Sequence, residues 1–147
     1  MIQESKIDDN ALEVTYTFAA PLDKVYSAWA EADQMVQWMG PGEVKCDEVN
    51  IDLQVGGKYM IKMNTDDGIA TAVGEYKEIE LNKKLVFTWH WLDGTFENSI
   101  VTLLFSETTE GTALNLKHTL LPDKEKTEHH AMGWNGCVAK LNDYLSA

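Results

Sequence analysis

Leu12, Val14, Tyr16 and Phe18 alternate with Glu13, Thr15 and Thr17, the period of two expected of a strand with one buried face. The period then changes. After Pro21, a residue suited to the first turn of a helix, Leu22, Val25, Tyr26 and Trp29 fall at i, i+3, i+4 and i+7 and predict a short helix with one apolar stripe. Asp33 is the expected cap of a second short helix ending at Trp38. Beyond it, Val44 and Cys46 share one parity while Val49, Ile51 and Leu53 share the other, so a bulge is expected near Asp47 and Glu48. Turn signals at Asp66-Asp67-Gly68, Leu81-Asn82-Lys83, Asp93-Gly94 and Glu110-Gly111 separate strand-like runs over 58–64, 69–80, 84–91, 98–106 and 112–119. Pro122-Asp123 ends the runs. Residues 124–145 then place His130, Trp134, Val138, Leu141 and Leu145 along one face of a long helix.

Two glycine motifs punctuate this pattern. Trp38-Met39-Gly40-Pro41-Gly42 reads as a helix stop with a tight exit, because glycine supplies backbone angles that other residues avoid and proline cannot continue a helix. Val55-Gly56-Gly57-Lys58-Tyr59 reads as a strand entry where a bulge or another backbone comes close. The order is a strand, two short helices, about six strands joined by short turns and one long C-terminal helix. It predicts an α+β fold, with a curved antiparallel sheet wrapped around that helix and its other face wet.

Composition narrows the function without naming it. A chain of 147 residues fits a single domain, 1–147, able to bury roughly 70% of its unfolded surface. With 44% hydrophobic and 24% charged residues, neither disorder nor a membrane span is expected. The start, Met1 to Lys6, lacks the basic-then-apolar pattern of a secretion signal, so a cytoplasmic location is expected. The net charge is −12, and all 12 basic residues are lysine. An acidic chain without an arginine fork is a poor partner for nucleic acid or anionic lipid. Cys46 and Cys137 show no paired spacing and are expected as free buried thiols.

The motifs in sequence resemble one family. Ala20-Pro21, Ala28-Trp29, Trp38-Met39-Gly40-Pro41, Val55-Gly56-Gly57-Lys58-Tyr59, Leu85-Val86-Phe87-Thr88-Trp89, Gly111-Thr112-Ala113-Leu114-Asn115-Leu116-Lys117-His118 and Gly133-Trp134 are similar to the heat-shock protein 90 ATPase activator homologue family. That family lies within the START-like (SRPBCC, helix-grip) superfamily. The resemblance implies a helix-grip fold enclosing a cavity between sheet and C-terminal helix. It also implies the superfamily's range of roles: hydrophobic-ligand carriers, co-chaperone domains and polyketide cyclases.

In that fold, Leu85, Phe87, Trp89 and Trp91 face inward opposite Val86, Thr88 and His90, and they meet Trp134 with Val101, Leu103 and Phe105 of the next strand. Aromatic rings so placed either fill a core or line a ligand pocket. Phe87, Trp89, Trp91, Phe105, His118, His130 and Trp134 are the candidate ligand-binding residues. His118 shares the inward parity of Leu114 and Leu116 and is either a hydrogen-bonded structural histidine or a group that orients a ligand or acts as a base. His129 and His130 are adjacent on a helix and point about 100° apart; with Glu125 they make no zinc set, so no metal and no cofactor are expected. Glu75 and Glu97 on strands are expected in water. Cys137 has no local base, and no nucleophile elbow, phosphate loop or dinucleotide fingerprint is present in the sequence.

Three readings follow. A domain that binds a small apolar or aromatic molecule without catalysis comes first. A chaperone-interacting module, acidic against a basic patch, is the alternative, and a polyketide cyclase-like enzyme using His118 is the third.

Overall fold

The computed structural model describes residues 2–94 and 98–146. Glu97 lies outside the described residues. The chain runs β1 (Ile2–Ile7), β2 (Leu12–Phe18), α1 (Leu22–Ala30), α2 (Ala32–Met35), β3 (Lys45–Ile51), β4 (Lys58–Thr65), β5 (Gly68–Glu80), β6 (Lys84–Trp91), β7 (Ser99–Thr108), β8 (Gly111–Thr119) and α3 (Lys124–Ser146). One 8-stranded sheet orders them β1-β2-β8-β7-β6-β5-β4-β3, and every neighbouring pair is antiparallel. This is the α+β arrangement expected from the alternation, and the helix-grip fold that the resemblance implies.

The inward parity of β2, β7 and β8 forms the most tightly filled part of the core. Val14, Tyr16, Val101, Leu103, Leu114 and Leu116 are fully buried there, and the register sets Val14 opposite Leu116 and Leu103 opposite Leu116 across the two ladders. Trp134, Val138 and Leu141 of α3 are buried against this face, with Leu145 partly so. From α1, Tyr26 meets Phe105 edge-on at 5.3 Å and Trp29 meets Trp38 at 4.7 Å. The Trp38 indole donates to the Ala28 carbonyl at 3.1 Å, fastening the turn after α2 to α1.

The glycine motifs behave as their spacing predicts. Gly40 takes φ +108, and the Met39 amide closes the preceding turn onto the Met35 carbonyl. A Cβ on Gly57 would run into the Asp52 carbonyl oxygen, so the strand entry is a close backbone approach. The bulge in β3 falls between Cys46 and Glu48.

Four expectations change, and the structure adds one irregularity that the pattern does not predict. Ahead of β2 lies an edge strand, β1, which pattern reading misses because Ser5, Lys6 and Ile7 are all exposed and show no alternation. Asp33 does not cap α2; Glu31 holds the cap position with no side-chain bond, and the helix ends at Met35. Cys137 is buried, but Cys46 is only half-buried, because it sits on edge strand β3. The outer face is not uniformly wet, since Val86 and Thr88 of β6 are 7% and 8% exposed. Finally, pairing between β5 and β6 skips Gly74 and Glu75. There the Tyr59 hydroxyl donates to the Thr88 carbonyl at 2.6 Å, and the Glu75 amide donates to the Thr88 hydroxyl at 2.9 Å.

Candidate functional site

Asp123 starts the site by capping α3: its Oδ1 accepts the Lys126 amide at 2.8 Å, as expected of a short acidic side chain before the first turn. The N-terminal half of α3 then runs past the open ends of β4, β5 and β6 without closing on them. Between lies a cleft of about 830 Å³. One flank is Lys126, His129, His130, Gly133, Trp134 and Cys137 of α3; the other combines Met63, Ile69, Trp89, Trp91 and Leu92. Met39, Pro41 and Val44 close its base.

That base is clamped to α3. Lys140 donates to the Val44 carbonyl at 2.7 Å, and a Cβ on Gly136 would sit only 2.6 Å from Pro41 Cβ. Three residues earlier, a Cβ on Gly133 would meet nothing within 4 Å. Glycine at 136 permits contact and glycine at 133 leaves the cleft open.

Behind the cleft, bounded by the shared residues Met39, Trp89 and Trp134, is a void of only about 10 Å³ that is also lined by Trp29, Tyr59 and Phe87. Room of that size holds about one water-sized group.

The hydrogen bonds among the aromatic residues fix each proton. Ser99 Oγ donates to the Trp89 carbonyl at 2.7 Å. Its single proton is therefore engaged, so the 2.7 Å contact with His118 Nε2 has the histidine donating. His118 Nδ1 accepts the Trp134 indole N–H at 3.0 Å. His118 is thus neutral, with both nitrogens occupied and no exposed surface. Burial first, and then the nearby His130, holds its pKa well below the usual histidine value.

His130 repeats the device with the opposite tautomer. Its Nδ1 donates to the Lys126 carbonyl at 2.7 Å, and its Nε2 accepts the Trp91 indole N–H at 3.1 Å. Burial lowers its pKa as well, with His129 and Lys126 adding to the effect and the Lys126 carbonyl opposing it. The Cys137 thiol is pushed up to about 12, chiefly by burial. It is a thiol at neutral pH, without thiolate character.

Of the seven candidate residues, Trp89, Trp91, His130 and Trp134 come together at the cleft. Phe87 lines the small void behind it. His118 backs Trp134 from within the core, and Phe105 lies away, against Tyr26. Glu75 is half-exposed on the outer face and paired with Lys77 at 3.1 Å. Lys58 and Lys117 are exposed, as their parity requires. The lysine at the cleft is Lys126, and Asp67 and Asp93 also line it. Among the described residues no three His, Cys, Asp or Glu side chains gather as a metal site, and no helix is long and apolar enough to cross a membrane.

Sequence reasoning missed the Met39–Val44 base and the Met63–Thr71 flank. The base comes from the turn after α2, which carries no periodicity, and the flank comes from the ends of β4 and β5, whose alternation does not say which end borders open space. The one available signal was the pair Gly133 and Gly136 on α3, an unusual cost inside a helix unless space demands it.

Comparison with known proteins agrees with this architecture. A family model described as activator of Hsp90 ATPase homolog 1-like protein matches residues 19–146. A solved structure from Rhodobacter sphaeroides is similar at a TM-score of 0.85 with 17% identity, covering 99% of this chain and 98% of that one. One from Chromobacterium violaceum gives 0.84 with 19% identity over 94% and 98%. The AHSA1 protein from Silicibacter pomeroyi gives 0.81 with 23% identity over 92% and 97%. Among curated proteins no relative matches the chain.

Proposed function

The chain belongs to the activator of Hsp90 ATPase homolog 1-like family, and on that premise we propose that it binds a small apolar or aromatic molecule in the cleft between α3 and the ends of β4, β5 and β6, without catalysis. The observation that carries this reading is the cleft itself. Its volume of about 830 Å³ falls within the range of small-molecule pockets, and so does its make-up of aromatic and methionine walls with few polar groups at the rim. His118, on which a cyclase-like reading depends, offers the cleft no nitrogen, since both are engaged inside the core. The lining carries two carboxylates, Asp67 and Asp93, and one lysine, Lys126, so neutral or weakly polar ligands are preferred over phosphorylated ones.

Nile red supplies the test. The dye binds the parent protein and is displaced by neutral aromatics more readily than by their phosphorylated counterparts. Gly133→Leu, whose side chain would project into open space, weakens binding at least tenfold while the melting temperature holds. Dye affinity unchanged by Gly133→Leu would place the bound molecule elsewhere. Native mass spectrometry of freshly purified protein adds whether a molecule is retained.

The family description supports a second reading, in which this acidic chain of net charge −12 docks on a basic patch of a chaperone. Retention of Hsp90 in a pull-down at salt that screens weak contacts would favour it.

A further inference from the structure

We propose that the ligand of this cleft carries a hydrogen-bond acceptor oxygen at its leading end, such as a ketone or aldehyde carbonyl, received by the indole N–H of Trp89. The proposal rests on the cleft being a ligand site, as above, and deepens that reading.

Its basis is the set of side-chain hydrogen bonds made by the tryptophans, histidines, Ser99 and Tyr59 around the cleft and the void behind it. The Trp134 N–H goes to His118, and the Trp91 N–H goes to His130. The two remaining histidine N–H groups go to Ser99 Oγ and the Lys126 carbonyl, and the Ser99 hydroxyl goes to the Trp89 carbonyl. The Tyr59 hydroxyl goes to the Thr88 carbonyl. Two buried side-chain groups are left over: the indole N–H of Trp89 and that of Trp29 have no partner among the described residues. Both residues are almost wholly buried, at 3% and 1% exposure. The other unpartnered buried atoms, His90 Nδ1 and Asn115 Oδ1, belong to residues that line neither space.

A buried donor without an acceptor is costly, and native folds rarely tolerate one that has no use. An indole N–H is a donor only. The histidine lone pairs, the natural acceptors in this neighbourhood, are already taken by Trp91 and Trp134. Neither the Trp89 nor the Trp29 indole finds an acceptor among the described residues, and a ligand can bring one. Location separates the two orphans: Trp29 lines the small void alone, whereas Trp89 lines both the void and the cleft, in the partition with Met39 and Trp134. A ligand lying along the aromatic wall reaches Trp89 first. The void behind the partition, about 10 Å³, has room for one oxygen and no more of the ligand. An alkyl amine, protonated at neutral pH and able only to donate, would meet another donor, so the site also selects against ammonium groups at that end.

The test compares shape-matched probes: 2-acetylnaphthalene with its carbonyl, 2-ethylnaphthalene without it and 2-(1-aminoethyl)naphthalene with a donor in its place. Affinities come from Nile red displacement, and the Trp89 indole resonance is followed in ¹⁵N–¹H spectra. The ketone is expected to bind about tenfold more tightly than the hydrocarbon, the increment of one buried hydrogen bond, and to move the Trp89 indole proton downfield. Trp89→Phe should abolish the preference for the ketone, so that the ratio of the two affinities falls to about one whatever the change in their absolute values. Should Trp89→Phe not fold, the parent's indole shift with ketone against hydrocarbon decides alone. Equal affinities with a still Trp89 resonance would overturn the acceptor rule and leave the cleft reading standing. Failure of all three probes to bind would overturn the cleft reading and this proposal together.

Discussion

The two halves of α3 meet the same sheet by different means. Toward the C-terminus, Val138 and Leu141 have no exposed surface and pack against a filled core, where dispersion and burial hold everything in place. Toward the N-terminus the helix borders open space, and Trp91 and Trp134 are each fastened through an indole N–H to a histidine lone pair. A side chain packed on all sides needs no directional bond. One that stands as a wall beside a cleft has partners on one side only, and a hydrogen bond then fixes what packing cannot.

The largest test of that contrast is Trp134→Ala. Trp134 belongs to both regimes, touching Trp89 at 5.0 Å and Trp29 at 6.0 Å while donating to His118. A loss of about 3–5 kcal/mol in urea unfolding is expected, and a loss under about 1 kcal/mol with the fold intact would show that Trp134 is a lining residue alone.

The next comparison uses two glycines three residues apart. Gly136→Ala presses a methyl onto Pro41 and should be less stable than Gly133→Ala by about 1–3 kcal/mol. Gly133→Ala should gain roughly 0.5–1 kcal/mol from helix propensity. Equal unfolding free energies for the two variants would mean that the Pro41 clamp yields freely.

Acid should weaken the fastened half selectively. The pKa values of His118 and His130 are both held below the usual value. The unfolded chain therefore binds more protons than the folded one as pH falls below about 6.5. Their contribution is complete above that value and is lost as pH falls toward the folded pKa values. Protonated His130 has no lone pair for Trp91, and burial with His129 and Lys126 beside it opposes the added charge, although Asp67 and Asp93 line the same cleft. Urea midpoints at neutral and mildly acidic pH should show a decline that is shallower in His130→Gln. An equally steep decline in that variant would assign the acid sensitivity to other groups.

The smallest expected effect is from metals: zinc, calcium and magnesium should leave the melting temperature within about 1 °C, because binding only to the folded state would raise it. A saturable rise at micromolar metal would reveal ligands that sequence spacing does not suggest.

Much of the frame was legible from periodicity. The β6 bounds are those of the predicted run, and α3 differs by one residue at its end. Both carry strong alternation or a strong stripe. β1 was invisible because an edge strand with exposed side chains shows no contrast between faces. The aromatic side of β6 was legible as inward, yet nothing in its alternation separates Phe87 behind the partition from Trp91 at the cleft. That distinction depends on where α3 departs from the sheet. Histidine tautomers lay further still from the sequence, since each depends on which proton its neighbour has already committed.

The gap in pairing at Gly74 and Glu75 bears on how this sheet opens to solvent. An amide that donates to the backbone carbonyl of a neighbouring strand is freed only when the two strands part. At Glu75 the acceptor is the hydroxyl of Thr88, which leaves by rotation about one side-chain bond, so deuterium can enter the middle of the sheet while every neighbouring strand stays paired. Local opening of that kind needs far less free energy than global unfolding. At the join between β3–β5 and the other five strands, the Glu75 amide is thus expected to exchange ahead of the paired amides on either side.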